Sequence, residues 1–258
     1  MPAEASPLHD EDRRRLARAF DSAAALYERA RPGYAHEAIT WLVPATARRV
    51  LDLGAGTGKL TAALVARGLD VVAVEPSAPM REQLIARLST VDVRAASAEH
   101  TGLADSSVDA VIIGEALHWF DRPAADREIA RVLRPGCLVG VASNRRDTSP
   151  AWAGALDDVL NEHLADRPRS PRNSEAVAFD PALFTPPERV EFPYLQTVDA
   201  EGLIEVIASR SYVIDLPQAK RARLMAAVRD LAYHHPDLAG RETFDIPYLT
   251  VAVRSLRR

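Results

Sequence analysis

Between Arg49 and Ala142, short runs of β-branched and apolar residues alternate with helical patterns. That alternation limits the chain to folds built on a mostly parallel sheet covered by helices on both faces. Strands are predicted at 49–53, 70–75, 91–95, 108–113 and 137–142, and helices at 58–67, 78–88 and 123–133. Ser77 reads as the N-cap of the second of these helices, with Pro79 in its first turn, and Asp121 as the N-cap of the third. Two later strand patterns, 189–198 and 242–253, lack a parallel-type crossover between them and should pair antiparallel at one sheet edge. The second alternates Phe244, Ile246, Tyr248 and Thr250. The expected fold is α/β: a doubly wound, mostly parallel seven-stranded sheet with an antiparallel edge strand and a helical cap.

Outside the alternating stretch the pattern is helical. Leu16, Ala19, Phe20, Ala23, Ala24 and Tyr27 line one face of a predicted helix over 8–31, which Arg31-Pro32-Gly33 ends. A short second helix over 34–43 stops at Pro44. Helices are also predicted at 152–164, 200–209 and 218–231, while the proline-rich, polar stretch 166–174 reads as a loop of the cap. The organisation is therefore an N-terminal helical lid (1–45), a sheet core (46–148) and a cap insertion with late helices and the final two strands (149–258), forming one compact unit with the core. With 258 residues, 47% of them hydrophobic, the chain can bury one large α/β core but scarcely two independent ones.

The formal net charge is −4, so no global positive field gathers nucleic acid, and a nucleic-acid substrate is disfavoured. Cys137 is the sole cysteine, which excludes an intramolecular disulfide and an all-cysteine metal site and fits a reducing compartment. No apolar run approaches the roughly 18–20 residues that span a bilayer. Residues 1–18 lack the apolar centre of a secretory signal, so cytoplasmic residence without membrane association is expected.

The sharpest local signal is Leu51-Asp52-Leu53-Gly54-Ala55-Gly56-Thr57-Gly58-Lys59, at the turn from the first strand into its helix. Such turns lie at the carboxyl edge of a parallel sheet, where these folds bind ligands, and glycines let a ligand approach the backbone. The dinucleotide spacing G-x-G-x-x-G fails, because Lys59 stands at the sixth position and the order is G-x-G-x-G. Asp52 would repel a pyrophosphate but attract the ammonium of an amino-acid group. Glu75, at the end of the second strand, is placed to accept hydrogen bonds from two ribose hydroxyls. A ligand with an amino-acid end and a ribose satisfies both acids.

With these residues the chain resembles the class I S-adenosylmethionine-dependent methyltransferases, especially the small-molecule group that includes the trans-aconitate methyltransferases. The resemblance covers roughly residues 20–142. It implies S-adenosyl-L-methionine as cofactor, a Rossmann-like methyltransferase fold and a core (46–148) that binds it. It further implies that Asp52, Gly54, Gly56 and Gly58 hold the methionine part, Glu75 and the adjoining Pro76 the ribose, and Ser97-Ala98-Glu99 the adenine. An acid is common in that family at the position of Ser97, so Ser97, Glu99 and the backbone of Ala98 are alternative adenine contacts. The segment Phe20 to Tyr34 resembles the part of that subgroup that folds over the cofactor. Tyr27, Arg31 and Tyr34 are then lid residues, with Arg31 meeting the methionine carboxylate; the plainer alternative makes Tyr27 core and Arg31 a helix-end cap.

Methyl transfer needs alignment, desolvation and sometimes proton removal, and neither metal nor covalent intermediate. The sequence offers no metal-ligand spacing; the adjacent His234 and His235 cannot both face one point of a helix. Glu115-Ala116-Leu117-His118-Trp119-Phe120 follows the fourth strand and resembles the Ala-x-His-Trp-Phe segment of the same subgroup, with Glu115 as a cofactor contact. His118 is the candidate general base for a hydroxyl acceptor, against the reading in which it merely packs beside Trp119. Arg145, Arg146 and Arg210 are candidates to clamp an anionic small-molecule acceptor. The function expected is O-methylation of a carboxylate or hydroxyl on a small molecule; the alternative is a protein of this fold that binds S-adenosylmethionine to regulate or to catalyse a non-methylating reaction.

Overall fold

The computed structural model of the protein describes residues 29–164 and 177–258. In chain order the elements are α1 (His36–Leu42), β1 (Arg49–Leu53), α2 (Lys59–Val65), β2 (Asp70–Val74), α3 (Ala78–Arg87), β3 (Asp92–Arg94), β4 (Val108–Gly114), a 3-10 turn (Leu117–Trp119) and α4 (Arg122–Val132). There follow β5 (Leu133–Arg146), α5 (Ala151–His163), β6 (Glu188–Val198), α6 (Ala200–Ala208), α7 (Ser211–Ile214), α8 (Gln218–His234) and β7 (Phe244–Leu256). The strands form one seven-stranded sheet in the order β3-β2-β1-β4-β5-β7-β6. The pairs β1 with β2, β1 with β4, β2 with β3 and β4 with β5 are parallel. β7 runs against β5: Arg257 N–H donates to the Cys137 carbonyl past one end, and Asp147 N–H to the Pro247 carbonyl at the other. β6 runs against β7 in turn, since Arg254 bonds Glu188 while Thr197 donates to Asp245. The mixed α/β sheet expected from the alternation is present, with its antiparallel strands at one edge.

The described residues fall into two compact units, one of 33–145, 177–192 and 250–258 and one of 29–32, 146–164 and 193–249. In the first, the central strands are buried on both faces. Val50, Leu51 and Leu53 of β1 and Val111, Ile112 and Ile113 of β4 are fully buried, which explains why these strands read as continuous apolar runs. Leu60 and Leu64 of α2, Met80 and Leu84 of α3, and Ala125, Ile129 and Val132 of α4 are among their helices' buried positions, at helical spacing. In the second unit, Trp152, Leu156 and Leu160 of α5, Leu203 and Ile207 of α6 and Leu224, Val228 and Leu231 of α8 share a core with Ile246 and Tyr248 of β7.

Ser77 caps α3 as expected, its hydroxyl accepting from the Met80 amide. Asp121 stands at the N-cap of α4 but makes no side-chain cap; its own N–H donates to Glu99 Oε1 at 2.9 Å. A second correction concerns the turn before the fifth strand. β5 begins at Leu133, paired with Val108, and then skips to Leu138 opposite Ala110, so the intervening residues bulge out around Gly136 with φ +73°. α7 and the 3-10 turn were not legible in periodicity, since each spans about one helical turn and a period needs several to show. Among the described residues no helix is long and apolar enough to cross a membrane.

Candidate functional site

The turn between β1 and α2 lies at the carboxyl edge of the sheet, and its backbone requires glycine. Gly54, Gly56 and Gly58 have φ of +75°, +56° and +88°, in the left-handed region that side chains disfavour. Two of the three also have no room: a Cβ on Gly54 would lie 2.5 Å from Ala116 Cβ, and one on Gly58 2.8 Å from Leu84 Cγ. Gly56 differs, because a Cβ there meets nothing within 4 Å. The crest of the turn therefore faces open space, while its two feet are wedged against the segment after β4 and against α3.

Beneath this turn lies Asp52, fully buried. Its Oδ2 accepts from Thr61 Oγ1 at 2.6 Å, but Oδ1 has no hydrogen-bond partner among the described residues. Burial pushes the carboxyl up to about 7; the Thr61 hydrogen bond opposes that shift, and the charge of Glu75 adds to it. Thr57, 1% exposed, buries a hydroxyl that likewise has no partner among the described residues. Buried polar atoms are nearly always satisfied, so two such atoms at one turn mark a place built for a polar ligand. Glu75 sits across from Asp52 at the end of β2. Its Oε2 accepts from the Gly56 amide at 2.9 Å and its Oε1 from the Ser77 amide at 2.8 Å, which fixes the carboxylate between the crest of the turn and the start of α3. Pro76 is exposed beside it, its carbonyl accepting from Arg81.

The structure brings the remaining core positions to the same edge. Ser97, Ala98 and Glu99 form a tight turn in which His100 N–H donates to the Ser97 carbonyl at 3.3 Å. Ala98 is buried in the main core, and Glu99 is half-buried with its carboxylate on the Asp121 amide. Glu115 follows β4 in a left-handed conformation, φ +55°, and its Oε1 accepts from the Asn144 amide at 2.6 Å. His118 lies in the 3-10 turn, half-buried, its ring 4.8 Å from that of Trp119 at an interplanar angle of 41°. Phe120, from the same segment, reaches within 3.4 Å of the Cβ position of Gly54.

Tyr27 lies outside the described residues, as do most of the predicted 8–31 helix and the 166–174 loop. Arg31 belongs to the second unit, where its guanidinium donates to the Ser209 carbonyl at 3.4 Å. Arg145 is paired with Glu191 at 3.1 Å and Arg146 with Asp157 at 2.8 Å, while Arg210 stands at the N-cap of α7. Cys137 has its thiol pushed up, first by burial and then by the charge of Asp109, as befits an inert packed residue. His234 bonds Asp230, and His235 accepts from the Asp237 amide. Among the described residues no group of three or more His, Cys, Asp or Glu side chains is placed to hold a metal ion. Sequence reasoning passed over Thr57, Thr61 and Phe120. A signal for Thr61 existed: a hydroxyl residue on the buried face of α2, between Leu60 and Leu64, needs a partner inside.

Residues 51–140 match a family described as a methyltransferase domain. An uncharacterized methyltransferase of Mycobacterium tuberculosis is 43% identical over 94% of this chain and 97% of its own length. Among solved structures, a candidate type II methyltransferase from Anaeromyxobacter dehalogenans superimposes with a TM-score of 0.64 at 25% identity, covering 88% of this chain and 97% of that one. A phosphoethanolamine N-methyltransferase from Haemonchus contortus, solved with phosphomonomethylethanolamine and S-adenosylhomocysteine, shares the fold at a TM-score of 0.53 and 16% identity. It covers 96% of this chain and 60% of that one.

Proposed function

The chain belongs to the class I methyltransferases, enzymes whose methyl donor is S-adenosylmethionine, and on that premise we propose that it methylates a small-molecule acceptor on a carboxylate or hydroxyl oxygen. The observation that carries the assignment of the site is Asp52: a fully buried carboxylate with an unpartnered oxygen under a glycine turn whose crest is open. A donor from outside the described residues would complete it, and the ammonium of S-adenosylmethionine is such a donor.

When bound, the donor supplies a methyl group already activated by a sulfonium. The chain's own residues then have three tasks. Asp52 and the backbone of the glycine turn hold the amino-acid part. Glu75, oriented by the Gly56 and Ser77 amides, accepts the ribose hydroxyls, with Pro76 beside it. Ser97, Ala98 and Glu99 frame the adenine, where the Ala98 backbone is the most available group because Glu99 is committed to the Asp121 amide. Glu115, after β4, borders the donor, and His118 the acceptor. For a hydroxyl acceptor, His118 takes the proton as oxygen attacks; a carboxylate acceptor attacks already ionised and needs no base. For an anionic acceptor, Arg145, paired here with Glu191, is a candidate cation.

Calorimetric titration with S-adenosylmethionine, S-adenosylhomocysteine and NADH tests the site. Binding of the first two and not the third is expected, and Glu75→Ala should weaken it by about 1–3 kcal/mol, as loss of a charge-assisted hydrogen bond does. Unchanged affinity in that variant would remove Glu75 from the site. A screen of small carboxylates and phenols for methylated product then tests the acceptor class; cofactor binding with no product from any of them counts against it.

A further inference from the structure

A close approach at the end of β4 extends the cofactor reading, and rests on it. Gly114 is the last residue of β4, and a Cβ built on it would lie 2.5 Å from Tyr34 Oη and 3.0 Å from Leu60 Cδ2. The phenol hydroxyl is thus laid against bare backbone at the carboxyl edge, beside the first turn of α2. The strand order places β1 between β2 and β4, so Glu75 ends the strand on one side of the glycine turn and Gly114 ends the strand on the other. A ligand whose ribose meets Glu75 directs its amino-acid end toward Gly114 and that hydroxyl.

Tyr34 is held in place through both of its chain neighbours. Asn144 Nδ2 donates to the Gly33 carbonyl at 2.6 Å, and the Ala35 amide donates to Thr250 Oγ1 at 3.1 Å. The Thr250 hydroxyl, fully buried, donates onward to Asn144 Oδ1 at 2.7 Å, and the Asn144 amide donates to Glu115 Oε1 at 2.6 Å. Glu115 directly follows Gly114 and keeps a left-handed backbone, which a residue with a side chain holds only where its surroundings over-determine it. Strands β5 and β7 and the residue that follows β4 therefore contribute to fixing one loop residue, and the polar tip of that residue lies where strand β4 has no side chain.

We propose that the Tyr34 hydroxyl binds the carboxylate of the donor's amino-acid end, and that Glu115, Asn144 and Thr250 are positioning residues that hold it there. The division of labour follows from charge: Asp52 attracts the ammonium and repels the carboxylate, and a phenol donates a hydrogen bond to a carboxylate without adding charge of its own.

The test compares two ligands, S-adenosylhomocysteine and 5′-methylthioadenosine, which keeps the adenosine and lacks the amino-acid end. Tyr34→Phe should bind S-adenosylhomocysteine about tenfold more weakly and 5′-methylthioadenosine unchanged. Thr250→Val should show the same selective loss to a smaller degree, and Thr250→Ser should restore it. Unchanged S-adenosylhomocysteine affinity in Tyr34→Phe overturns the proposal, and so does a parallel loss for both ligands, which marks a packing role. Wild-type protein that binds neither ligand overturns the cofactor reading itself.

Discussion

At the amino end of β4 and β5 the protein buries acids among donors, whereas at the carboxyl end of β1 it buries one without them. Glu128 accepts from the Thr101 amide and hydroxyl and from two nitrogens of Arg131, all within 2.8 Å. Burial works against its ionisation, but the Arg131 and Thr101 hydrogen bonds prevail and hold the carboxyl down at about 2. Asp109 is treated likewise: against burial, the Arg49 and Arg48 amides and the Arg134 guanidinium keep it below the usual carboxylate range. Asp52 has one hydroxyl and no cation among the described residues, and is pushed up to about 7. Glu128 is nearly as inaccessible as Asp52 while Asp109 is partly exposed, and what the first two do not share is partners: Glu128 has an arginine and two donors of Thr101, Asp52 a single hydroxyl. The amino end is finished structure, and the carboxyl end is left with a debt of polar contacts that a ligand can settle.

The glycines give the largest expected contrast between the ends. Gly54 and Gly136 both have positive φ, but only at Gly54 does an added Cβ collide with a neighbour. Gly54→Ala should cost about 3–5 kcal/mol of stability through strain plus overpacking, and Gly136→Ala only about 1 kcal/mol through strain alone. Denaturant melts of the two variants check this, and equal losses would erase the distinction between a wedged and an open turn.

A smaller effect, with a sign that depends on pH, is expected at Asp52. Because its folded value lies above that of the unfolded chain, the native state binds the extra proton, and stability falls as pH rises from about 4 to 7. Asp52→Asn removes that loss: the ligand-free protein should gain about 2–3 kcal/mol at pH 8 relative to wild type, with little change near pH 4, while cofactor affinity falls. A variant destabilised at pH 8 would show that the carboxylate has a partner after all. Smallest is Glu128→Gln, which should lose about 1–2 kcal/mol at pH 7 after allowance for solvent screening beside the half-exposed Arg131. Here the native value is depressed, so the difference from wild type should be full above about pH 4.5 and vanish as pH falls toward 2. A pH-independent difference would assign the loss to packing.

The glycine turn, the two acids and the strand-helix alternation were legible because each depends on residues near one another in sequence. Asp52, Gly54, Gly56 and Gly58 lie within one turn, and the apolar runs of β1 and β4 report burial directly. What escaped depends on distant pairs. Asn144 meets Gly33 across 111 positions and Ala35 meets Thr250 across 215, and no periodicity carries such pairings. Asp121 had the right residue type for a cap, but Glu99 reaches its amide from another loop instead. Glu115 was legible as a position at the site, though not as the anchor of Asn144, since its left-handed backbone has no signature in a non-glycine residue.

The sheet order has a bearing on how the protein is made. β7 is the last strand in sequence yet lies between β5 and β6, so those two strands have no common partner until it arrives. As the chain emerges from the ribosome, β5 presents an open edge for nearly a hundred residues of further synthesis before β7 begins, and β6 emerges with no sheet to join. Closure of the sheet is therefore a late, long-range event. Nascent chains halted before Phe244 should be the species that chaperones retain, and a premature stop within β7 should leave the sheet unclosed.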